Sequence, residues 1–197
     1  SARFRLGFSD QSFMQIVRLN DAATMKDHLT RAVIEVFHDD TELALFFRAN
    51  GELFTAAHRA ASTVDITAFA GGVTPLARLA LQGEDEATGT LSVGGAAYHA
   101  VAVPITLPES GVVGAVVFGI RISHAALQAV RPPSTQILVI ADRRVAASTL
   151  GSSVESEAVL EQLSRTTPGT DGDFTRIQGQ RFKPASGVLP AVGAAEA

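Results

Sequence analysis

Thr88–Ile122 reads TGTLSVGGAAYHAVAVPITLPESGVVGAVVFGIRI, and this stretch decides the fold. Ala97–Ile105 is apolar and rich in β-branched residues. Pro108–Gly111 is turn chemistry, and Val112–Ile122 is a second apolar run broken by Gly114 and Gly119. Two such runs around a short Pro/Ser/Gly loop predict a β-hairpin. At about 3.3 Å per residue, each strand is about 30 Å long. Val112–Ile120 does not alternate with polar residues, so both of its faces are expected to be buried, mid-sheet, between two packed layers.

The flanking chain is expected to supply those layers. Upstream, Leu43–Phe47 and Leu53–His58 are strands joined by Ala49-Asn-Gly-Glu52, whose Asn-Gly pair marks a tight hairpin. Ser62–Gly72 reads as a loop with a short helical turn. Thr74 then caps a helix over Pro75–Gln82, with Pro in the first position. Before these, Ser9–Asp40 follows a helical period through Phe13, Ile16, Val17, Leu29, Val33 and Phe37, with no Pro or Gly from Asp10 to Asn50. One unbroken helix there would span about 45 Å. A break near Asp21 and Met25, with Asp27 recapping, is the alternative. Downstream, Ser123 caps a short helix over His124–Val130, and Arg131-Pro-Pro-Ser134 marks a boundary. Gln136–Ile140 and Val145–Thr149 are strands around the turn Ala141–Arg144. Ser153–Thr166 is an amphipathic helix, and Asp173–Ile177 and Arg181–Val188 are weak strands.

Leu45–Ala56 and Ile137–Ser148 share an order: an apolar strand, then Ala with a polar turn, then a second strand. Ala49 aligns with Ala141 and Leu53 with Val145. The expected class is therefore α+β: a long N-terminal helix over residues 1–42 and two tandem PAS-like antiparallel-sheet domains, 43–130 and a small or truncated 131–197.

Composition narrows the function. With 197 residues, 46% hydrophobic and 18% charged, the chain can bury a core. A net charge of −4 with no basic block argues against nucleic acid as a partner. Cysteine is absent, which removes disulfides, thiolate metal sites and cysteine nucleophiles. The five histidines, His28, His38, His58, His99 and His124, show no metal-ligand spacing. Gly-x-Ser-x-Gly is missing. Gly71-Gly72 and Gly94-Gly95 are not phosphate loops, and Glu84-Asp-Glu86 reads as a solvated turn. No catalytic residue, cofactor or metal is assigned. No apolar run of about 18 residues or signal peptide is present. The chain opens at Ser1 and closes at Ala197 as though cut from a longer protein.

Ala44–Thr55, Tyr98-His-Ala-Val-Ala-Val-Pro104, Gly111–Ile120 and Ile137–Thr149 together resemble the double Cache sensor family. The resemblance implies a membrane-distal PAS-like sensor, a smaller membrane-proximal domain, and a place outside the bacterial inner membrane between two transmembrane helices. It further implies a histidine kinase, diguanylate cyclase or chemotaxis transducer as output. It makes the fragment a small-molecule sensor and not an enzyme; the basic candidate residues named next favour an organic anion over a cation as its ligand.

By position the candidate ligand residues are Phe46, Arg48, His58, Arg59, Arg78, Tyr98, His99 and Phe118. Arg48, Arg59 and Arg78 offer guanidinium groups to a carboxylate. Tyr98 offers a ring and a hydroxyl. His99 shares a face with Val101, Val103 and Ile105. The bland alternatives are a core tyrosine, a structural histidine and solvated arginines. A homodimer through parallel helix packing, with Asn20 setting register, is expected. Two other readings stand beside the sensor: a cytosolic PAS-like regulatory domain that mediates protein contact, and a small hydrolase.

Overall fold

The computed structural model describes residues 11–33, 41–83, 85–150, 156–161, 175–177, 180–182, 185 and 187–192. The chain forms two compact units. One comprises Ser1–Gly94, Tyr98–Arg121 and Pro190–Ala197; the other comprises Gly95–Ala97 and Ile122–Leu189.

Among the described residues the first unit begins with two short helices, α1 (Gln11–Leu19) and α2 (Ala22–Arg31), where the sequence suggested one rod. The break lies at Asn20, whose φ of 52° is left-handed, a region asparagine tolerates. Asp21 then caps α2, its carboxylate accepting from the Thr24 amide at 2.7 Å. A short Asn-Asp pair offers the backbone local partners, and here they win over helix continuation. Asp27 lies inside α2 and caps nothing. The expected Ser9 cap and residues 34–40 fall outside the described residues.

Strands β1 (Thr41–Arg48) and β2 (Leu53–His58) form the expected hairpin, with Gly51 at φ 81° and Asn50 Oδ1 accepting from the Glu52 amide. Helix α3 (Ile66–Gln82) starts well before Thr74 and carries Pro75 inside it. Asp65 caps it, accepting from the Thr67 and Ala68 amides at 2.9 and 3.0 Å. Gly71, Gly72 and Pro75 are poor helix formers. Burial of Phe69, Val73, Leu76, Ala77 and Ala80 along one stripe overrides them.

Strands β3 (Ala87–Val93), β4 (Ala96–Leu107) and β5 (Gly111–Arg121) complete a five-stranded antiparallel sheet in the order β2-β1-β5-β4-β3. The decisive hairpin is thus β4–β5, with Tyr98 opposite Arg121 and Val103 opposite Val116. β5 is the middle strand, and Ala115, Val116, Val117 and Phe118 are all fully buried. Alternation sends its side chains to two different layers. One face holds Ala44, Phe46, Val101, Val103, Val116 and Phe118, packed with Phe13, Met25, Leu29 and Val33 of the N-terminal helical region. On the other face, Gly119 is the gap that Leu43 and the Phe69 ring of α3 fill.

In the second unit Ser123 caps α4 (His124–Val130), accepting from the Ala126 amide at 3.0 Å. β6 (Leu138–Ala141) and β7 (Arg144–Ser148) pair antiparallel. Asp142 and Arg143, both at positive φ, make their two-residue turn. Helix α4 packs on β7: the His124 ring Nδ1–H donates to the Ser148 carbonyl, and the Gln128 amide donates to the Thr149 carbonyl at 3.0 Å. Residues 156–161 are helical, and β8 (Thr175–Ile177) pairs with β9 (Gln180–Phe182) as a separate ribbon. Among the described residues this unit carries two two-stranded sheets, β6–β7 and β8–β9. The rest of the expected 153–166 helix and the turn at 178–179 lie outside the described residues.

Candidate functional site

One carboxylate gathers the polar side chains at one end of the five-stranded sheet. Glu42 follows Thr41 at the start of β1, beside the end of β5 and the start of β4. Its Oε2 accepts from the Tyr98 hydroxyl at 3.0 Å and from Ser62 Oγ at 3.2 Å. Its Oε1 pairs with Arg121 Nη1 at 3.1 Å. The Glu42 side chain is 14% exposed and that of Arg121 47%, so the pair has a sheltered acid and an accessible base. The register delivers these groups: Tyr98 and Arg121 are direct cross-strand partners, and β1 lies next to β5.

Tyr98 stands with its ring edge-on to Phe69 of α3, centroids 5.4 Å apart, and is 2% exposed. Burial, then the hydrogen bond to Glu42 and its negative charge, push the phenol up to about 12, with Arg121 opposing. Tyr98 therefore remains a neutral donor at any physiological pH.

The other residues singled out from sequence lie elsewhere. Phe46 and Phe118 are buried in the core beneath the N-terminal helices. His99 is opposite Ile120 on that same face, half-buried, and burial lowers its pKa from the usual 6.5. Arg48 lies at the opposite end of β1. Its guanidinium carbon sits 4.2 Å over the Phe54 ring and its Nη2 donates to Asn20 Oδ1 at 3.0 Å. Its Nε is buried without a hydrogen-bond partner among the described residues. Arg59 holds backbone together: Nε donates to the Thr41 carbonyl at 2.7 Å and Nη2 to the Val33 carbonyl at 2.8 Å. His58 is exposed, with Nδ1–H donating to the Arg59 carbonyl. Arg78 is exposed on α3 beside the β1–β2 turn, its stem 3.8 Å from where a Cβ on Gly51 would lie.

Of the eight, only Tyr98 thus enters the Glu42 cluster. Glu42 and Ser62 carried no sequence signal, because each is a common polar residue with no motif around it. The one available hint was Arg121, a charge closing an apolar strand directly after Ile120. The arrangement offers two hydroxyls, one carboxylate and one reachable guanidinium, which is chemistry for holding a polar ligand. No group of three or more metal-ligating side chains occurs among the described residues. No described helix is long and apolar enough to cross a membrane.

No protein-family model matches the chain, and no curated protein sequence matches it. Among solved structures, the periplasmic domain of Vibrio cholerae LuxQ is similar, with a TM-score of 0.51 at 15% identity over 76% of this chain and 72% of that one. The ligand-binding domain of the Pseudomonas fluorescens chemoreceptor CtaA gives a TM-score of 0.42 at 17% identity. It covers 84% of this chain and 68% of that chain in its complex with L-isoleucine, or 70% in its complex with L-leucine. The similarity to the LuxQ domain is one of fold.

Proposed function

We propose that this chain is the extracytoplasmic small-ligand-sensing domain of a transmembrane signalling receptor, of the double Cache type, with the five-stranded unit as the sensor. The observation that carries this reading is the sheet β2-β1-β5-β4-β3 with helical layers on both faces, together with its likeness in fold to a periplasmic domain. The Glu42–Tyr98–Arg121 cluster supplies the recognition chemistry. Within the cluster Arg121, half-exposed and paired with Glu42, is the guanidinium offered to a small organic anion. An anion bound there competes with Glu42 for Arg121, and can shift the domain only by its difference in affinity for two states. Membrane anchoring of the full-length protein and a homodimer belong to the same reading. With the helix broken at Asn20, the dimer does not rest on one long rod.

The experiment is a thermal-shift screen against small carboxylates, amino acids and amines. At a hundredfold excess over Kd, binding adds about 2.7 kcal/mol, or roughly 5–10 °C for a chain of this size. A hit lost in both Arg121→Gln and Tyr98→Phe supports the site. A hit that survives both moves the ligand away from Glu42. Silence across the panel overturns small-ligand sensing for this fold.

A further inference from the structure

The outer edge of the five-stranded sheet is not bare. β3 is an edge strand, and Pro190–Val192 lies beside it as a parallel bridge centred on Thr90 and Ala191. The Thr90 amide donates to the Pro190 carbonyl at 2.7 Å, and the Val192 amide donates to the Thr90 carbonyl at 3.0 Å. The Thr90 hydroxyl adds a third bond to the Pro190 carbonyl at 2.7 Å. Every hydrogen-bonding group of Thr90 that faces outward is thus taken by a segment a hundred residues away in sequence.

A second observation is independent of these bonds. Glycine weakens a strand interior, and Gly89 has no positive φ to require it. Its role is steric: a Cβ there would lie 2.9 Å from Val192 Cα and 3.0 Å from Val192 N. Both are backbone atoms, so a side chain at 89 and a docked Val192 exclude each other. Pro190 suits the edge as well, because it uses its carbonyl and has no N–H to leave unpaired.

The hold is local and small. Pro190 and Ala191 are exposed and Val192 is only partly buried, so little apolar surface backs the three bonds. By contrast β5 is buried on both faces. Segments held by few buried contacts open separately from the core.

We infer that Pro190–Val192 is a detachable strap, latched onto the edge of β3 at Gly89-Thr90, which opens and closes while the sheet remains folded. Opening exposes the Thr90 N–H and C=O and leaves the β3 edge open to pairing with another extended strand. This holds whether or not the domain binds a small ligand.

Amide hydrogen exchange on the whole chain, resolved by residue, tests it. The Thr90 and Val192 amides are expected to exchange together. Three bonds of ordinary net strength, offset by chain ordering, slow them by about tenfold to a hundredfold relative to free peptide. The Val116 and Phe118 amides exchange far more slowly, through global unfolding. Val192→Pro deletes one bond at the strap, and Gly89→Val blocks the approach at the sheet. Each is expected to abolish Thr90 protection while leaving β5 protection within about threefold of wild type. The inference is overturned if Thr90 and Val192 share the protection of β5. It is equally overturned if Thr90 stays protected in Val192→Pro, a variant altered outside the sheet.

Discussion

Tyr98 is the only tyrosine and the chain has no tryptophan, so the ultraviolet absorbance of tyrosinate reports one group. In the native protein that titration is expected near 12, against 10.0 for an ordinary phenol. The largest cause is burial, followed by the Glu42 hydrogen bond at 3.0 Å and the Glu42 charge. Glu42→Gln keeps an acceptor for the hydroxyl but removes the charge. A hydrogen bond to an ionised partner is worth about 1.5–3 kcal/mol against about 1 for a neutral one. One pKa unit is about 1.36 kcal/mol, so the loss lowers the midpoint by roughly one unit. Burial remains, so the variant should titrate between 10 and 12, near about 11. The folded pKa lies above the unfolded one, so the stabilisation from a neutral Tyr98 is complete below pH 10 and is lost as pH rises through about 12. A stopped-flow jump into alkali reads the phenol before the chain unfolds. A wild-type midpoint near 10, or a variant that still titrates with wild type, refutes the electrostatic account of the cluster.

Three further outcomes are expected. In Gly114→Ala the new Cβ would lie 2.5 Å from Phe46 Cζ and 2.7 Å from the Phe47 carbonyl oxygen, which is backbone of the paired strand. Overpacking of this kind costs about 2–3 kcal/mol, read as a Tm lower by roughly 5–10 °C. Arg59→Met keeps the stem but strands the Thr41 and Val33 carbonyls, lowering stability to urea by about 2–4 kcal/mol with an unchanged m-value. His99 has a folded pKa depressed by burial, so its contribution is complete above pH 6.5 and is lost as pH falls through the lower folded value. A series of Tm values from pH 7 into mild acid should therefore decline less steeply in His99→Leu than in wild type.

Local chemistry made much of the fold legible. Asn50-Gly51 and Pro108–Gly111 mark turns because few residues accept their backbone angles, and Ser123 marks a helix start because its hydroxyl reaches the Ala126 amide. The unbroken apolar run Val112–Ile120 announced a central strand, since only a strand covered on both faces has no use for polar alternation. These are signals carried by neighbours in sequence. The start of α3 was hidden because Gly71, Gly72 and Pro75 argue against a helix, and only the sheet beneath Phe69 and Val73 outweighs them. The break at Asn20 was a choice between two local minima, settled by the Asp21 cap and by Arg48 reaching Asn20 from the end of β1.

The candidate site divides in the same way. Tyr98 was visible as a lone hydroxyl in an apolar strand. Glu42 and Arg121 became its partners only when the register of β4 on β5, and of β5 on β1, placed three distant positions at one end of the sheet. Pro190–Val192 against Gly89-Thr90 depends likewise on long-range pairing. The amino-acid sequence by itself determined the β1–β2, β4–β5 and β6–β7 hairpins, their turns and the start of α4, because those preferences act over a few residues. The tertiary structure decided which polar groups meet, because strand register is set by the whole packed core, and no local stretch contains that information.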